Sequence, residues 1–219
     1  MQIVDHSLRE FQPDNWLIAI VIGCSVLLAL AAYLYQESFR TFLQLPLSNR
    51  YFIVAGKQKD SAHPFTLILF AISLIGIALF GSLLISQLNS SFLFNFSGFL
   101  QVLAAVFGFL GAKFILERLL GIVFKLEPLI NGYVFEKLTF LNLIGLGGLI
   151  FTIICFYGLQ GNPWVLYIGG GLAATGYIIG LIYSYKNNEN LIFRNFFYFI
   201  LYLCALEISP FILLFKALN

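Results

Sequence analysis

The sequence predicts an all-α polytopic membrane protein. It reads as a single integral domain, residues 1–219, in which six transmembrane helices form one bundle, both termini are periplasmic, and two cytoplasmic segments lie in the membrane interface. Three observations predict it. Hydrophobic residues make up 60% of the chain and charged ones 10%, with a mean hydropathy of +0.93, too little polar surface to cover a soluble domain of 219 residues. Six stretches reach the ~20 apolar residues that a spanning helix needs. Lys and Arg collect in alternate connections between those stretches, the asymmetry that orients a membrane protein.

The first stretch, 15–35, follows the tail MQIVDHSLREFQPDNW, which carries acidic residues and no basic region or small-residue cleavage site; it is expected to be retained as a span and not cleaved as a signal peptide. The connection after it contains ESFRTFLQLPLSNRYF (37–52), where Phe39, Phe42, Leu43, Leu45 and Leu47 interleave with Arg40 and Arg50, a pattern suited to the headgroup plane. Spans two and three are 64–86 and 97–120. KLEPLINGYVFEK (125–137), around Pro128 and Gly132, is expected to be the second interfacial segment, serving as cover or as a docking surface. Spans four, five and six are 138–158, 164–185 and 195–216. All are too long for barrel strands and none alternates with period two.

Orientation follows from the basic residues. Arg40, Arg50, Lys57 and Lys59 lie after span one, Lys125 and Lys137 after span three, and Lys186 and Arg194 after span five, whereas 87–96 and 159–163 contain none. The three basic loops are therefore expected in the cytoplasm. Trp16 and Trp164 then fall at the outer interface, and Tyr33, Tyr35, Tyr183 and Tyr185 at the inner one, as amphipathic rings prefer.

Helices associate in lipid through small residues that let backbones approach. In span five, Gly169, Ala173, Gly176 and Gly180 recur at steps of four, three and four and share one face. Span four offers a shorter match in Gly145, Gly148 and Thr152, and the brief connection GLQGNPW makes the two spans expected antiparallel neighbours. Packing of the fold is the plainer reading of this stripe; a homodimer face or a substrate groove is the sharper one.

The inventory argues against several chemistries. Cys24, Cys155 and Cys204 lie singly in three spans with no histidine nearby, and read as small packing residues. His6 and His63 sit outside the spans on opposite sides, so a bis-histidine haem site is not expected, nor is a base for an intramembrane serine protease. Asp5, Asp14 and Asp60 are in a tail and a loop, and no phosphate-binding or dinucleotide fingerprint is present. A net charge of +2 without a basic run makes nucleic acid an unexpected partner. No metal or cofactor is expected.

Four ionisable residues remain at depth: Lys113, Glu117 and Arg118 in GAKFILERLL, and Glu207 in span six. Glu117 and Arg118 are expected near the cytoplasmic headgroups, where Arg118 can snorkel. Lys113 and Glu207 fall about 7 Å and about 3 Å from the midplane at 1.5 Å per residue, and each leans toward the other's level. Pro210 leaves the Leu206 carbonyl without its helical donor, a second acceptor beside Glu207. A Lys113–Glu207 pair is thus expected to clamp spans three and six or to handle protons, with a local Lys113–Glu117 pair as its rival.

At FYFILYLCALEISP (197–210), followed by Lys216, and at NRYF (49–52), the chain resembles an uncharacterised multi-pass inner-membrane family of Bacteroidetes. The resemblance implies an inner-membrane location in a diderm bacterium and an accessory role in an envelope machine such as a secretion or gliding apparatus. It implies no activity. The expected function is a non-enzymatic subunit or scaffold, bounded by the lipid bilayer and other inner-membrane proteins; the alternative is a small proton- or ion-coupled carrier using Glu207 and Lys113.

Overall fold

The computed structural model describes residues 15–43, 64–88, 92–123, 127–158 and 163–187. Six α-helices run through them, with no strand among the described residues: α1 (Asn15–Leu34), α2 (Gln36–Leu43), α3 (Pro64–Leu88), α4 (Phe96–Val123), α5 (Glu127–Ile153) and α6 (Pro163–Asn187). A π-helical turn, Ile154–Gly158, extends α5. All but α2 are long and apolar enough to cross a membrane, which points to a membrane protein. The expected sixth span, 195–216, lies outside the described residues together with Glu207, Pro210, Cys204, His6 and His63.

Local chemistry sets the helix ends. Pro64 and Pro163 open α3 and α6, where the missing N–H would have had no partner anyway. Asn95 precedes α4, its side-chain oxygen accepting the Gly98 N–H at 2.7 Å. Glu127 begins α5 with Pro128 in the first turn, so proline starts this helix and does not break it. The second expected interfacial segment is thus helical from Glu127, and its last four residues already belong to the apolar stretch Val134–Phe156. Phe135, Glu136, Lys137, Leu138 and Thr139 are all buried. The other expected interfacial segment is helical over Gln36–Leu43, with Phe42 buried against Phe65 of α3; residues 44–52 lie outside the described residues.

The core is built around α3. Of its apolar stretch 56% is buried, against 11% for α4, which puts α3 at the centre and α4 at the edge. Each of the five long helices runs antiparallel to the next long helix in the sequence. Ala31 of α1 and Tyr35, just past its end, meet Phe65, while Cys24 meets Ile72; Phe114 of α4 meets Phe70; Phe140 and Phe151 of α5 meet Gly180 and Gly169 of α6. α3 and α5 run parallel and come closest of all. A Cβ on Gly76 would overlap the Gly145 carbonyl, and one on Gly145 would overlap Ser73. Two helices can approach this closely only where glycine removes the side chain from the contact.

The contact assigns the small residues differently from the expected pairing of spans four and five. Gly145 and Gly148 of α5 face α3, and the α6 stripe instead receives large side chains, Phe151 at Gly169, Ile144 at Gly176 and Phe140 at Gly180. Glycine here makes sockets for rings, because α6 crosses the α5 face that carries phenylalanines.

Alternation brings the ends of α1, α4 and α6 together with the starts of α3 and α5 at one end of the bundle, the near end. At the far end Trp16 lies between Phe94, Phe96 and Phe99, with ring centroids 5.3, 5.9 and 5.7 Å away, while Trp164 is exposed. Of the near-end tyrosines, Tyr33 is exposed, whereas Tyr35 and Tyr183 pack on Phe65 and Phe140.

Candidate functional site

The helices concentrate buried polar side chains near one level of the bundle. Lys113 and Glu117 recur at a step of four on α4, with Gly121 one turn further on, and all three are buried on one stripe of an otherwise largely exposed helix. Arg118 is about 100° around the helix from Glu117 and is exposed. On α5 the adjacent residues Glu136 and Lys137 face two different neighbours.

Lys137 turns to α4. Its ammonium meets Glu117 Oε1 at 2.5 Å, with Glu117 0% exposed and Lys137 6%. Glu136 turns to α6 and accepts the Ser184 hydroxyl on Oε2 at 2.8 Å, and Ser184 is fully buried. Glu117 stands two residues before the end of the apolar stretch of α4, and Lys137 three after the start of that of α5; Ser184 ends that of α6. The ion pair therefore lies about 3 to 5 Å inside the apolar stretch, at 1.5 Å per residue, and Lys113 about 6 Å deeper.

Further along α5, Asn142 approaches α3. The Ser73 hydroxyl is 2.9 Å from Asn142 Oδ1 and 2.8 Å from the Phe70 carbonyl, and both side chains are buried beside the Gly76–Gly145 contact. Other buried hydroxyls on these helices back-bond within their own helix, Ser82 to Leu79, Thr139 to Phe135 and Thr152 to Gly148, each at 2.8 Å.

One atom departs from this satisfaction. Glu117 Oε2 is buried and has no hydrogen-bond partner, although an ionised carboxylate offers acceptor sites on both oxygens. Among the described residues no group of three or more His, Cys, Asp or Glu side chains is placed to hold a metal ion, and Cys24 and Cys155 are free, buried thiols packed against aliphatic or aromatic side chains.

Of the expected site residues, Lys113 is buried as its depth required. Glu117, expected near the headgroups, stands two residues before the end of the apolar stretch and is buried because its helical position faces α5, which supplies a cation. The expected rival pairing, Lys113 with Glu117, gives way to Lys137 as the residue on Oε1. The Lys113–Glu207 pair and the Pro210 kink involve residues outside the described ones. Glu136, Lys137, Ser184, Asn142 and Ser73 were missed. Asn142 was legible as an amide inside the apolar run FLNLIGLGG, and Glu136 and Lys137 would have been found by continuing the helix back through Gly132 to Pro128.

Residues 17–218 match a family model described as Domain of unknown function (DUF4271). No curated protein and no solved structure matches the chain.

Proposed function

The chain belongs to the DUF4271 family, and we propose that it works as a non-enzymatic subunit or scaffold of a bacterial inner-membrane complex, an accessory of an envelope machine such as a secretion or gliding apparatus. The observation that carries this reading is how the buried polar groups are used. Glu117 with Lys137, Glu136 with Ser184 and Asn142 with Ser73 each join two different helices. Polar residues deep in a membrane protein mark either a path for substrate or a joint between helices; these six atoms are spent on joints. Meanwhile α1, α4 and α6 present Ile22, Leu30, Phe107, Ile115, Leu172 and Ile179 outward, surfaces suited to lipid or to the spans of partner proteins, including a second copy.

A second reading, a small proton- or ion-coupled carrier using Glu207 and Lys113, is favoured by Lys113 being only 6% exposed within an apolar helix. Mild solubilisation followed by mass spectrometry of what co-purifies separates the two. Stoichiometric membrane partners support the scaffold. A protein that purifies alone and moves protons or a substrate in liposomes, with loss of flux in Glu207→Gln, replaces it with the carrier.

A further inference from the structure

We propose that the elbow between α1 and α2 binds a phospholipid whose headgroup carries a primary amine. The elbow holds an open groove of about 610 Å³, lined by Tyr33, Leu34, Tyr35, Gln36, Glu37 and Ser38. Its level follows from α1, whose apolar stretch ends at Leu34. In a bilayer the groove therefore straddles the boundary between hydrocarbon and headgroups at the near end. Helix α2 is held over that end. The Tyr35 and Phe39 N–H groups donate to the Ala31 and Tyr35 carbonyls at 3.0 and 2.9 Å, so backbone bonding continues through the bend. Tyr35, just before α2, and Phe42, near its end, both pack on Phe65, with ring centroids 5.9 and 6.4 Å away. A helix flanked in this way by contacts to one ring lies across the start of α3 and does not extend away from the bundle.

The charges select the ligand. Phe39 and Phe42 take up the inward face of α2, which leaves Gln36, Glu37 and Arg40 exposed on the other. Glu37 and Arg40 are three residues apart, so their Cβ atoms are about 5 to 6 Å from one another. Among the described residues neither forms an ion pair. An anion and a cation presented side by side at headgroup level complement a zwitterion of ammonium and phosphate. The ammonium enters the groove, donates to the Glu37 carboxylate and the Gln36 amide oxygen, and lies beside the exposed Tyr33 ring, whose face attracts cations. The phosphate accepts from the Arg40 guanidinium. A quaternary ammonium has no N–H to donate to Glu37, and a headgroup without an amine sets its phosphate against the Glu37 charge.

A place for the acyl chains leads into the groove. Gly23, Leu27, Leu30 and Leu34 recur on α1 at steps of four, three and four, which puts them on one face. The three leucines are 42, 50 and 62% exposed, and nothing stands within 4 Å of a Cβ at Gly23. This apolar strip favours a lipid over a soluble phosphoamine as the source of the zwitterion. The site is separate from the buried polar joints and holds whether the chain acts with partners or alone.

The test uses full-length protein in nanodiscs made from equal parts of phosphatidylethanolamine, phosphatidylcholine and phosphatidylglycerol, with the lipids that stay bound identified by native mass spectrometry. Phosphatidylethanolamine should be retained in preference to the other two. Glu37→Gln should lower its retention relative to phosphatidylglycerol about tenfold, the scale of one charge-assisted hydrogen bond. Arg40→Gln should lower retention of phosphatidylethanolamine and phosphatidylglycerol together, since both carry the phosphate. Both positions are exposed, and the ratio between lipids is read on the folded protein alone. Glycerophosphoethanolamine, the same headgroup without chains, should not displace the lipid when added at equal concentration. The proposal is overturned if phosphatidylethanolamine is not preferred, if the ratio is unchanged in Glu37→Gln, if Arg40→Gln retains both lipids as before, or if the soluble headgroup displaces the lipid, which would make the groove a site for a free phosphoamine.

Discussion

Glu117 and Lys137, twenty residues apart in sequence, form an ion pair that joins the last turns of α4 to the first turns of α5. Such a pair contributes little net stability over well-packed apolar residues, yet removing Lys137 leaves the Glu117 carboxylate buried without the cation on Oε1, at a cost of about 3 to 5 kcal/mol. Lys137→Met should lower the unfolding free energy on that scale, and Glu117→Leu combined with Lys137→Met by clearly less than the sum of the two single changes. Thermal or denaturant unfolding in detergent, arranged as a double-mutant cycle, measures the coupling. Simple additivity would mean that the two groups do not meet.

The α3–α5 contact should be intolerant where an added side chain has backbone in its way. Gly76→Leu and Gly145→Leu each drive a side chain into the facing helix, so yield of folded protein should fall sharply. Gly108→Leu and Gly171→Leu supply the control, since nothing stands within 4 Å of a Cβ at either position. Size-exclusion profiles of the four variants separate the cases, and equal behaviour would refute the close approach.

Ser73→Ala removes the hydroxyl beside Asn142 while preserving volume. An interhelical hydrogen bond in a membrane protein is worth about 0.6 kcal/mol and at most about 1.7, so the loss should be small. Asn142→Leu removes the amide from the same contact and should cost more than Ser73→Ala only through its shape beside Gly145. A loss above about 3 kcal/mol for Ser73→Ala would assign the serine a role other than this contact.

The alternation of helix directions puts residue 37 and residue 93 at opposite ends of the bundle. With native cysteines removed, Glu37→Cys and Leu93→Cys should react oppositely with a membrane-impermeant thiol reagent in intact spheroplasts, Leu93→Cys being labelled if the basic loops are cytoplasmic. Labelling of Glu37→Cys alone reverses the orientation, and labelling of both denies that the intervening helix crosses the membrane.

What the sequence determined by itself is the class of molecule and the run of its helices. Apolar stretches near 20 residues are a one-dimensional property, readable without knowing any neighbour, and α1, α3, α4, α5 and α6 all begin or end within a few residues of the stretches in the sequence, except where α5 reaches back to Glu127. That exception has a local cause, because Pro128 in a first turn starts a helix and the same residue read as a loop marker ends one. Only the tertiary structure decided which faces meet. Gly145 was legible as a small residue, but that it presses on Ser73 of α3, while the α6 glycines receive Phe140 and Phe151, depends on how helices with apolar residues on every side are turned about their axes. The same holds for Glu117. Its charge and depth were visible in GAKFILERLL; its burial was decided by the rotation of α4 that turns position 117 toward α5, and by Lys137 standing at the same level on that helix. A periodicity of 3.6 residues puts residues on a common face, and the partner that face meets is a property of three dimensions.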